Sequence, residues 1–311
     1  MEKKTVVASF AMREEFLRGK TQEEMIDVGQ TLIDSVAGYK PDLICFPEIF
    51  LKTGGDVDNP DWARNTQRML EAYSEKARRL GSYILTSAYE PSRRYPDYRY
   101  NTSFLIGRDG TLTGKYRKVH TVYSESVVHH VIPGHDYPVF DTDFGRIGMQ
   151  TCFDIGWRNG WQALADKGAR LVVWAAAYDG GNLLDTYAAH NMYFVVSTVR
   201  TNHARIIDPM GQTIAESARW GSLALASIDL TGDIFHIDRQ WQKIDDIRRA
   251  LGSKVTIRVL SEENVFWLES NSDAWPMDRI RKEFGLQTYR EYHAEATALQ
   301  KEWREKFRED D

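Results

Sequence analysis

GRIGMQTCFDIGW, residues 145–157, decides the fold and points to the chemistry of this chain. An apolar run leads to Cys152, and a turn and a helix-like segment, RNGWQALADKGA, follow at once. A cysteine in this position resembles a nucleophile elbow, in which backbone N–H groups lower the thiol pKa and later hold an oxyanion. The N–H of Phe153 is the expected donor. Position alone leaves a second interpretation open, because most free cysteines are small core residues.

The other cysteine, Cys45, is better explained as a core residue of LICFPE. That apolar run ends on Glu48. A carboxylate after Phe-Pro at the edge of a buried strand is poorly solvated, which predicts a pKa raised toward the range of a general base. The alternative role for Glu48 is a helix or turn cap.

A third polar residue ends the strand-like run GKYRKVH, residues 114–120. In a strand, Tyr116, Lys118 and His120 share one face. If that face points inward, Lys118 is a cation able to stabilise a thiolate and an oxyanion. A solvated lysine at a sheet edge is the alternative.

Outward from these residues, β-branched runs alternate with helical patterns. Thr21 and Glu24 predict a capping box that starts a helix. The alternation predicts mixed sheets covered by helices, with antiparallel hairpins added. The strand-like runs are TVVASFAM (5–12), PDLICFPE (41–48), SYILTSAYE (82–90), YNTSFLIG (100–107), TLTGKYRKV (111–119), GRIGMQTC (145–152), RLVVWAA (170–176), YFVVSTVRTN (193–202), ARIIDPMGQTIAES (204–217) and SLALASIDL (222–230).

The composition changes near residue 234, where a charged sequence with a helical pattern begins. We therefore predict a domain over residues 1–233 and an appended helical arm over 234–311, without a second core. The arm has an apolar stripe of Phe, Tyr, Leu and Trp. It is either a solvated helix resting on the core or a contact between subunits.

Composition excludes several function classes. The chain has 311 residues, 42% hydrophobic and 27% charged, with a formal net charge of -5, so it carries no basic footprint for nucleic acid. Its longest wholly apolar run, LVVWAAA at 171–177, is far below the roughly 20 residues that cross a bilayer. The start lacks the features of a signal peptide, and two cysteines cannot form a disulfide framework. We expect a cytoplasmic protein.

Glu48, Lys118 and Cys152 each follow a strand-like run, in that order. With the motifs around them, residues 5–230 resemble the nitrilase or carbon–nitrogen hydrolase superfamily. The motifs that carry the resemblance are FPE (46–48), YNTSFLIGRDGTLTGKYRKVH (100–120), IGMQTCFD (147–154) and DPMGQTIAES (208–217).

The resemblance implies a four-layer αββα sandwich and a Glu–Lys–Cys triad, with no metal and no cofactor. By that likeness Glu48 takes the thiol proton, Cys152 attacks a carbonyl or nitrile carbon, and Lys118 and the Phe153 N–H hold the oxyanion. The family's second glutamate, which orients the lysine or the substrate, matches Glu125. Relatives also pair through helices and C-terminal extensions, which implies a homodimer or a larger even assembly.

Departures from the family pattern concern the substrate. Asp154 is kept after the cysteine, but Trp157 stands in the region of an arginine or phenylalanine. His190 stands in the position of a glutamate, and Tyr178 follows a strand end near the expected pocket. We take these four residues as candidates for substrate contact.

Four histidines, His120, His129, His130 and His135, cluster within a short stretch. A zinc site there is imaginable, but no cysteine or repeated ligand spacing supports it. Pocket lining or surface exposure is the expected role.

The favoured function is a thiol hydrolase that cleaves a small linear amide or an N-carbamoyl compound. A nitrilase is the nearest alternative, since the same triad can attack a nitrile. A catalytically silent binding protein of the same fold is the alternative from another class.

Overall fold

The computed structural model describes residues 4–308 in two compact units. The first is Thr5–Leu230, and the second combines residue 4 with residues 231–308. Each unit has its own secondary structure and buried core.

The first unit contains twelve strands and six α-helices among its described residues. The strands are β1 (Thr5–Phe10), β2 (Leu43–Cys45), β3 (Tyr83–Pro91), β4 (Arg99–Ile106), β5 (Leu112–Arg117), β6 (Val139–Thr142), β7 (Gly145–Thr151), β8 (Leu171–Ala176), β9 (Phe194–Val199), β10 (Arg205–Ile207), β11 (Thr213–Glu216) and β12 (Leu223–Ile228). The helices are α1 (Glu14–Leu17), α2 (Gln22–Ser35), α3 (Trp62–Leu80), α4 (Tyr123–Val127), α5 (Arg158–Asp166) and α6 (Asn182–Asn191). Every strand and helix that the periodicity predicted in this unit is present.

These strands form two mixed six-stranded sheets. The first has the order β12-β1-β2-β3-β4-β5, and the second β11-β10-β9-β8-β7-β6. In each sheet the central strands run parallel and the outer strands antiparallel. This is the mixture expected where helical crossovers alternate with hairpins.

The two sheets face each other across a buried layer. The Ser9 hydroxyl of the first sheet donates to the Ser197 carbonyl of the second at 2.7 Å, and Thr198 donates to the Phe10 carbonyl at 2.9 Å. Helices α2 and α3 bury apolar side chains against the outer face of the first sheet. On the second sheet, Gly148 approaches Leu164 of α5 closely. The predicted αββα sandwich is confirmed.

Local signals in the sequence start and end these helices. The Thr21 side chain accepts from the Glu24 N–H, and the Glu24 carboxylate accepts from the Thr21 N–H, so the predicted capping box is present. Helix α3 ends at Gly81, whose φ of 64° is the left-handed conformation that glycine adopts readily. Strand β6 and helices α1 and α4 were not predicted.

The second unit is helical at its C-terminal end, as predicted, but it also contains a small antiparallel sheet. Its strands are β13 (Asp233–His236), β14 (Val255–Leu260) and β15 (Val265–Ser270), and its helices are α7 (Lys243–Leu251), α8 (Met277–Phe284) and α9 (Tyr289–Lys306). Phe235, Ile247, Phe266, Leu268 and Ile280 are fully buried together. The expectation of an arm without a core is therefore wrong. The charged helical sequence of this unit dominated the pattern, so its three short strands were not recognised.

Within residues 4–308, none of the helices has both the length and the apolar character that a membrane span requires.

Candidate active site

Cys152 lies where β7 ends and a 3₁₀ turn, Cys152–Gly156, begins. Its φ is 49°, a left-handed conformation that is sparsely populated for any residue other than glycine. The Trp174 indole N–H donates to the Cys152 carbonyl at 3.0 Å and holds the turn in place. The backbone therefore has the sharp strand-to-turn geometry of an elbow that presents its side chain.

Glu48 lies just beyond β2, in the first sheet. Its side chain is 3% exposed, so its carboxylate depends on protein partners. The Asn101 amide Nδ2 donates to Glu48 Oε1 at 2.8 Å, and the Lys118 ammonium donates to the same oxygen at 3.0 Å. These bonds make Glu48 part of a buried ionic network and leave its other oxygen available.

Lys118 follows β5 and, like Tyr116, is 1% exposed, so this face points inward and Lys118 is not the solvated lysine of the alternative interpretation. The Lys118 ammonium contacts two carboxylates, Glu48 at 3.0 Å and Glu125 at 2.7 Å. The Lys118 N–H donates to the Asn101 carbonyl at 2.9 Å, which extends the β4–β5 pairing by one residue. A buried lysine with two carboxylate partners stays charged and fixed in position.

Glu125 is 7% exposed and lies on α4. Its Oε2 accepts from Lys118 and, at 2.8 Å, from the Val122 N–H, while its Oε1 accepts from Asn101 Nδ2 at 2.9 Å. Asn101 therefore bridges the two glutamates. Asn101 had no predicted role of its own, although an amide inside the apolar run YNTSFLIG is the signal that could have identified it.

The four predicted residues Glu48, Lys118, Glu125 and Cys152 line one cavity of about 280 Å³. The structure therefore brings together side chains that are far apart in the chain. Other lining residues are Ile49, Lys52, Val57, Tyr89, Ala177 and Arg200.

The charge states of the acid and the lysine follow from their partners. Burial opposes a charge on Glu48, but the nearby charges of Lys118 and Arg200 and the bonds from Lys118 and Asn101 outweigh it, so the Glu48 pKa is lowered. The raised pKa expected for Glu48 is therefore wrong. Burial likewise opposes the charge on Lys118, yet the negative charges around it raise the Lys118 pKa.

The pKa of the Cys152 thiol is raised, whereas the sequence predicted a lowered pKa. Burial, the charge of Glu48 and a hydrogen bond to its carboxylate raise the pKa of Cys152 to about 12, although Lys118 and the Ala177 N–H favour the thiolate. In the resting site Cys152 is therefore a thiol beside an ionised carboxylate. Such a pair is set up for proton transfer from the thiol to the acid when the sulfur attacks.

The Phe153 ring is 40% exposed and packs edge-on against Trp157, with centroids 5.0 Å apart. Its backbone N–H follows the nucleophile directly in the turn, so the oxyanion role of this group stays a prediction.

Asp154, a candidate for substrate contact, has a different environment. It is 0% exposed, and its carboxylate accepts from the Tyr116 hydroxyl at 2.6 Å, the Thr151 N–H at 2.9 Å and the His120 N–H at 2.8 Å. These bonds tie β5 to the turn that carries Cys152. We therefore replace the expected substrate contact with a structural role.

The other three candidates for substrate contact, Tyr178, Trp157 and His190, have different surroundings. Tyr178 is 40% exposed, and burial and the neighbouring Cys152 raise its pKa to about 12. Trp157 stacks on His120 with ring centroids 4.0 Å apart, outside the lining of the Cys152 cavity. His190 lines a separate cavity of about 390 Å³ between α5 and α6. His190 is exposed and is not among the residues that line the Cys152 cavity, so the structure does not place it beside the nucleophile.

The four clustered histidines do not converge. His129 lines the Cys152 cavity, His130 stacks on Tyr98, His120 contacts Asp154, and His135 is exposed. Among residues 4–308, no group of three or more His, Cys, Asp or Glu side chains is placed to hold a metal ion.

Two helix-covered mixed sheets, with a thiol, two carboxylates and a lysine around one cavity between them, define a protein of the nitrilase fold. The carbon–nitrogen hydrolase family matches residues 7–232, and the chain belongs to that family. It is therefore an enzyme that hydrolyses carbon–nitrogen bonds.

Named relatives agree with this class. The chain is 26% identical to Omega-amidase NIT2-B of Xenopus laevis, over 70% of this chain and 87% of that protein. It is 28% identical to a deaminated glutathione amidase of Synechocystis, over 66% and 86%. Among solved structures, an amidase from Nesterenkonia has a TM-score of 0.64 at 19% identity, with 74% of this chain and 92% of the amidase covered. Saccharomyces cerevisiae Nit3 has a TM-score of 0.63 at 19% identity, with 80% and 95% covered.

Proposed function

We propose that the chain hydrolyses a small linear amide or N-carbamoyl compound through a thioester on Cys152. The observation that carries the proposal is the contact of Lys118 with both Glu48 and Glu125 in the cavity that Cys152 lines. Lys118 is thereby held as a buried cation beside the thiol, where an oxyanion would form.

In the first half of the reaction, Glu48 accepts the thiol proton while the sulfur of Cys152 bonds to the carbonyl carbon. The negative charge that develops on the carbonyl oxygen is held by the Lys118 ammonium and the Phe153 N–H. Glu48 then gives its proton to the leaving nitrogen, the C–N bond breaks, and ammonia or an amine departs. A thioester remains on Cys152.

In the second half, a water molecule gives its proton to Glu48 and attacks the thioester carbon. The C–S bond breaks, the proton returns to the sulfur, and a carboxylic acid leaves; from an N-carbamoyl substrate the released product is carbamic acid, which decomposes to carbon dioxide and ammonia. Glu125 does not touch the reacting atoms in this scheme. It positions Lys118 through the 2.7 Å contact.

The similarity to an omega-amidase and to a deaminated glutathione amidase favours an amide over a nitrile as the substrate. A related amidase from Nesterenkonia, 19% identical, has been crystallised as a mutant in complex with acrylamide, which is itself an amide.

The test is ammonia release from a panel of amides, N-carbamoyl amino acids and nitriles, with Cys152→Ala as the blank. Release from amides or N-carbamoyl compounds that is absent in the blank supports the proposal, and release from nitriles alone supports the nitrilase alternative. Full activity of Cys152→Ala would contradict the thiol mechanism.

Thiol labelling separates an enzyme from a silent binding protein of the same fold. Cys152 lines the cavity and is 9% exposed, whereas Cys45 is 0% exposed and burial raises its pKa. We expect iodoacetamide to modify Cys152 faster than Cys45 near neutral pH, because Cys152 is the accessible thiol and the Glu48 carboxylate beside it can accept its proton. Equal, slow labelling of both cysteines would favour the binding protein.

We also propose a homodimer, or an even assembly built from it, in which residues 234–311 take part. Helix α9 and the residue after it expose the apolar side chains Leu299, Trp303 and Phe307. Sedimentation velocity of the full chain is expected to give a dimer that Trp303→Glu weakens. A monomer at micromolar concentration would contradict the proposal.

A cytoplasmic location is proposed on the chemistry of the thiol. Both cysteines are free, and a thiol nucleophile needs a reducing compartment. Cell fractionation with detection of the native chain tests this location.

A further inference from the structure

Lys52 is a cation in the wall of the Cys152 cavity, and no carboxylate in the described part of the chain forms a salt bridge with it. It lies on the 3₁₀ turn Phe50–Gly54, four residues after Glu48. Among the residues that the structure describes, Lys52 forms no salt bridge, and its ammonium lies 4.8 Å from the centroid of the Tyr89 ring. Its side chain is only partly accessible to water.

The surroundings of Lys52 are basic. Burial and the positive charges of Arg99 and Arg200 lower the Lys52 pKa, and the negative charges of Asp58 and Glu125 offset only part of this effect. Arg200, which lines the same cavity, has a carboxylate partner, since its Nε lies 3.3 Å from Glu14 Oε1. Of the lysines and arginines that line the cavity, Lys52 is therefore the one without a salt bridge to any described carboxylate.

The two glutamates that line the cavity form their salt bridges with Lys118 and not with Lys52. Glu48 and Glu125 both accept from Lys118, which lies between them. The cavity thus has one end where carboxylates and a lysine are paired around the thiol, and a second cation without a partner. A neutral ligand that displaced water would leave Lys52 desolvated and unpaired, which is unfavourable. A ligand with a negative group would supply the missing counterion.

We propose that the substrate carries a carboxylate, away from its reacting amide, which pairs with Lys52. This inference rests on the proposed amide hydrolysis and names the class of substrate for that same site. The cavity of about 280 Å³ is close to the lower end of the roughly 300–1,000 Å³ typical of ligand sites, so the substrate is short. The monoamide of a short dicarboxylic acid and an N-carbamoyl amino acid share this chemistry.

The experiment compares substrates that differ only in the charged group. The pairs are succinamate with butanamide, glutaramate with pentanamide, and N-carbamoyl-β-alanine with propylurea. Each is assayed with the wild-type chain, Lys52→Gln, Lys52→Arg and the control Lys301→Gln, whose side chain is exposed on α9. The pair that reacts fastest distinguishes a monoamide from an N-carbamoyl compound.

We expect the wild-type chain to prefer the anionic member by about 10- to 100-fold in kcat/KM, the range of a charge-assisted hydrogen bond. Lys52→Gln should remove this preference mainly by raising KM for the anionic member, while leaving the neutral member within about threefold. Lys52→Arg should keep most of the preference because it keeps the charge. Lys301→Gln should behave as wild type.

Two outcomes overturn the inference, and they are distinguishable. Equal kcat/KM for both members in the wild-type chain, or equal losses in Lys52→Gln, would remove the carboxylate contact and leave amide hydrolysis intact. Absence of turnover with every pair would remove the proposed function as well.

Discussion

The Lys118 ammonium lies 2.7 Å from Glu125 Oε2, closer than the 3.0 Å that separates it from Glu48 Oε1. Glu125 is thus the closer counterion of the Lys118 ammonium. Glu48 can therefore exchange a proton with Cys152 while Lys118 keeps its charge and a carboxylate partner. Two acids of the same chemical type therefore have different tasks because of their positions around one cation.

Glu125→Gln tests this division of tasks. The amide keeps the shape but removes the charge that holds Lys118, so Lys118 should move toward Glu48. We expect kcat to fall by about 100-fold or more, as for the loss of a group that positions an oxyanion donor, with a smaller change in KM.

Glu90→Gln is the matched control, since Glu90 also pairs with two cations, Lys115 and Arg117, but outside the cavity. Steady-state kinetics of both variants on one amide give the comparison. Similar losses in the two variants would contradict a specific role of Glu125.

Asn101→Asp places a third carboxylate between Glu48 and Glu125. The wild-type Glu48 pKa is lowered, so its ionised form, and the stability that it contributes, persist until the pH falls below the usual range of glutamate. A new negative charge should raise the Glu48 pKa. The acid limb of the kcat/KM profile should therefore move to higher pH by about one unit or more. An unmoved limb would mean that Glu48 is not the base in the free enzyme.

The order of elements and the main site residues could be predicted because they depend on local patterns. The period of two along β5 placed Tyr116 and Lys118 on the inward face, and both are 1% exposed. The break after GRIGMQT placed Cys152 on a turn. Such signals are present in the sequence itself.

Other properties of the site depend on contacts between distant segments. The pKa directions of Glu48 and Cys152 were predicted with the wrong sign, because Lys118 and Asn101 stabilise the ionised Glu48 carboxylate, while burial and the charge of Glu48 disfavour the Cys152 thiolate. Likewise, the spacing of a helical segment cannot tell which face meets the site, so His190 was expected near the wrong cavity. No motif or periodicity in the sequence pointed to Lys52 as a residue of the site.

Asp154→Asn should weaken the link between β5 and the Cys152 turn. Both Asp154 oxygens accept from donors, and the amide nitrogen of asparagine would instead face a donor at one of these positions. We expect a loss of about 2 kcal/mol in the free energy of unfolding, as for a buried bond to a charged group. Urea denaturation measures it, and Tyr116→Phe completes a double-mutant cycle. Fully additive losses would contradict a direct Tyr116–Asp154 interaction.

Glu48→Gln should move thiol labelling and turnover in opposite directions. Burial, the charge of Glu48 and the hydrogen bond to its carboxylate together raise the pKa of Cys152 to about 12, whereas Lys118 lowers it. Without the carboxylate, the thiol should ionise at lower pH, so its labelling by iodoacetamide at pH about 8 should become faster. Amide turnover should fall by about 100-fold or more because the general base is gone. Slower labelling together with lost turnover would mean that Glu48 stabilises the thiolate, and the assignment of Glu48 as a carboxylate that keeps Cys152 protonated would then be wrong.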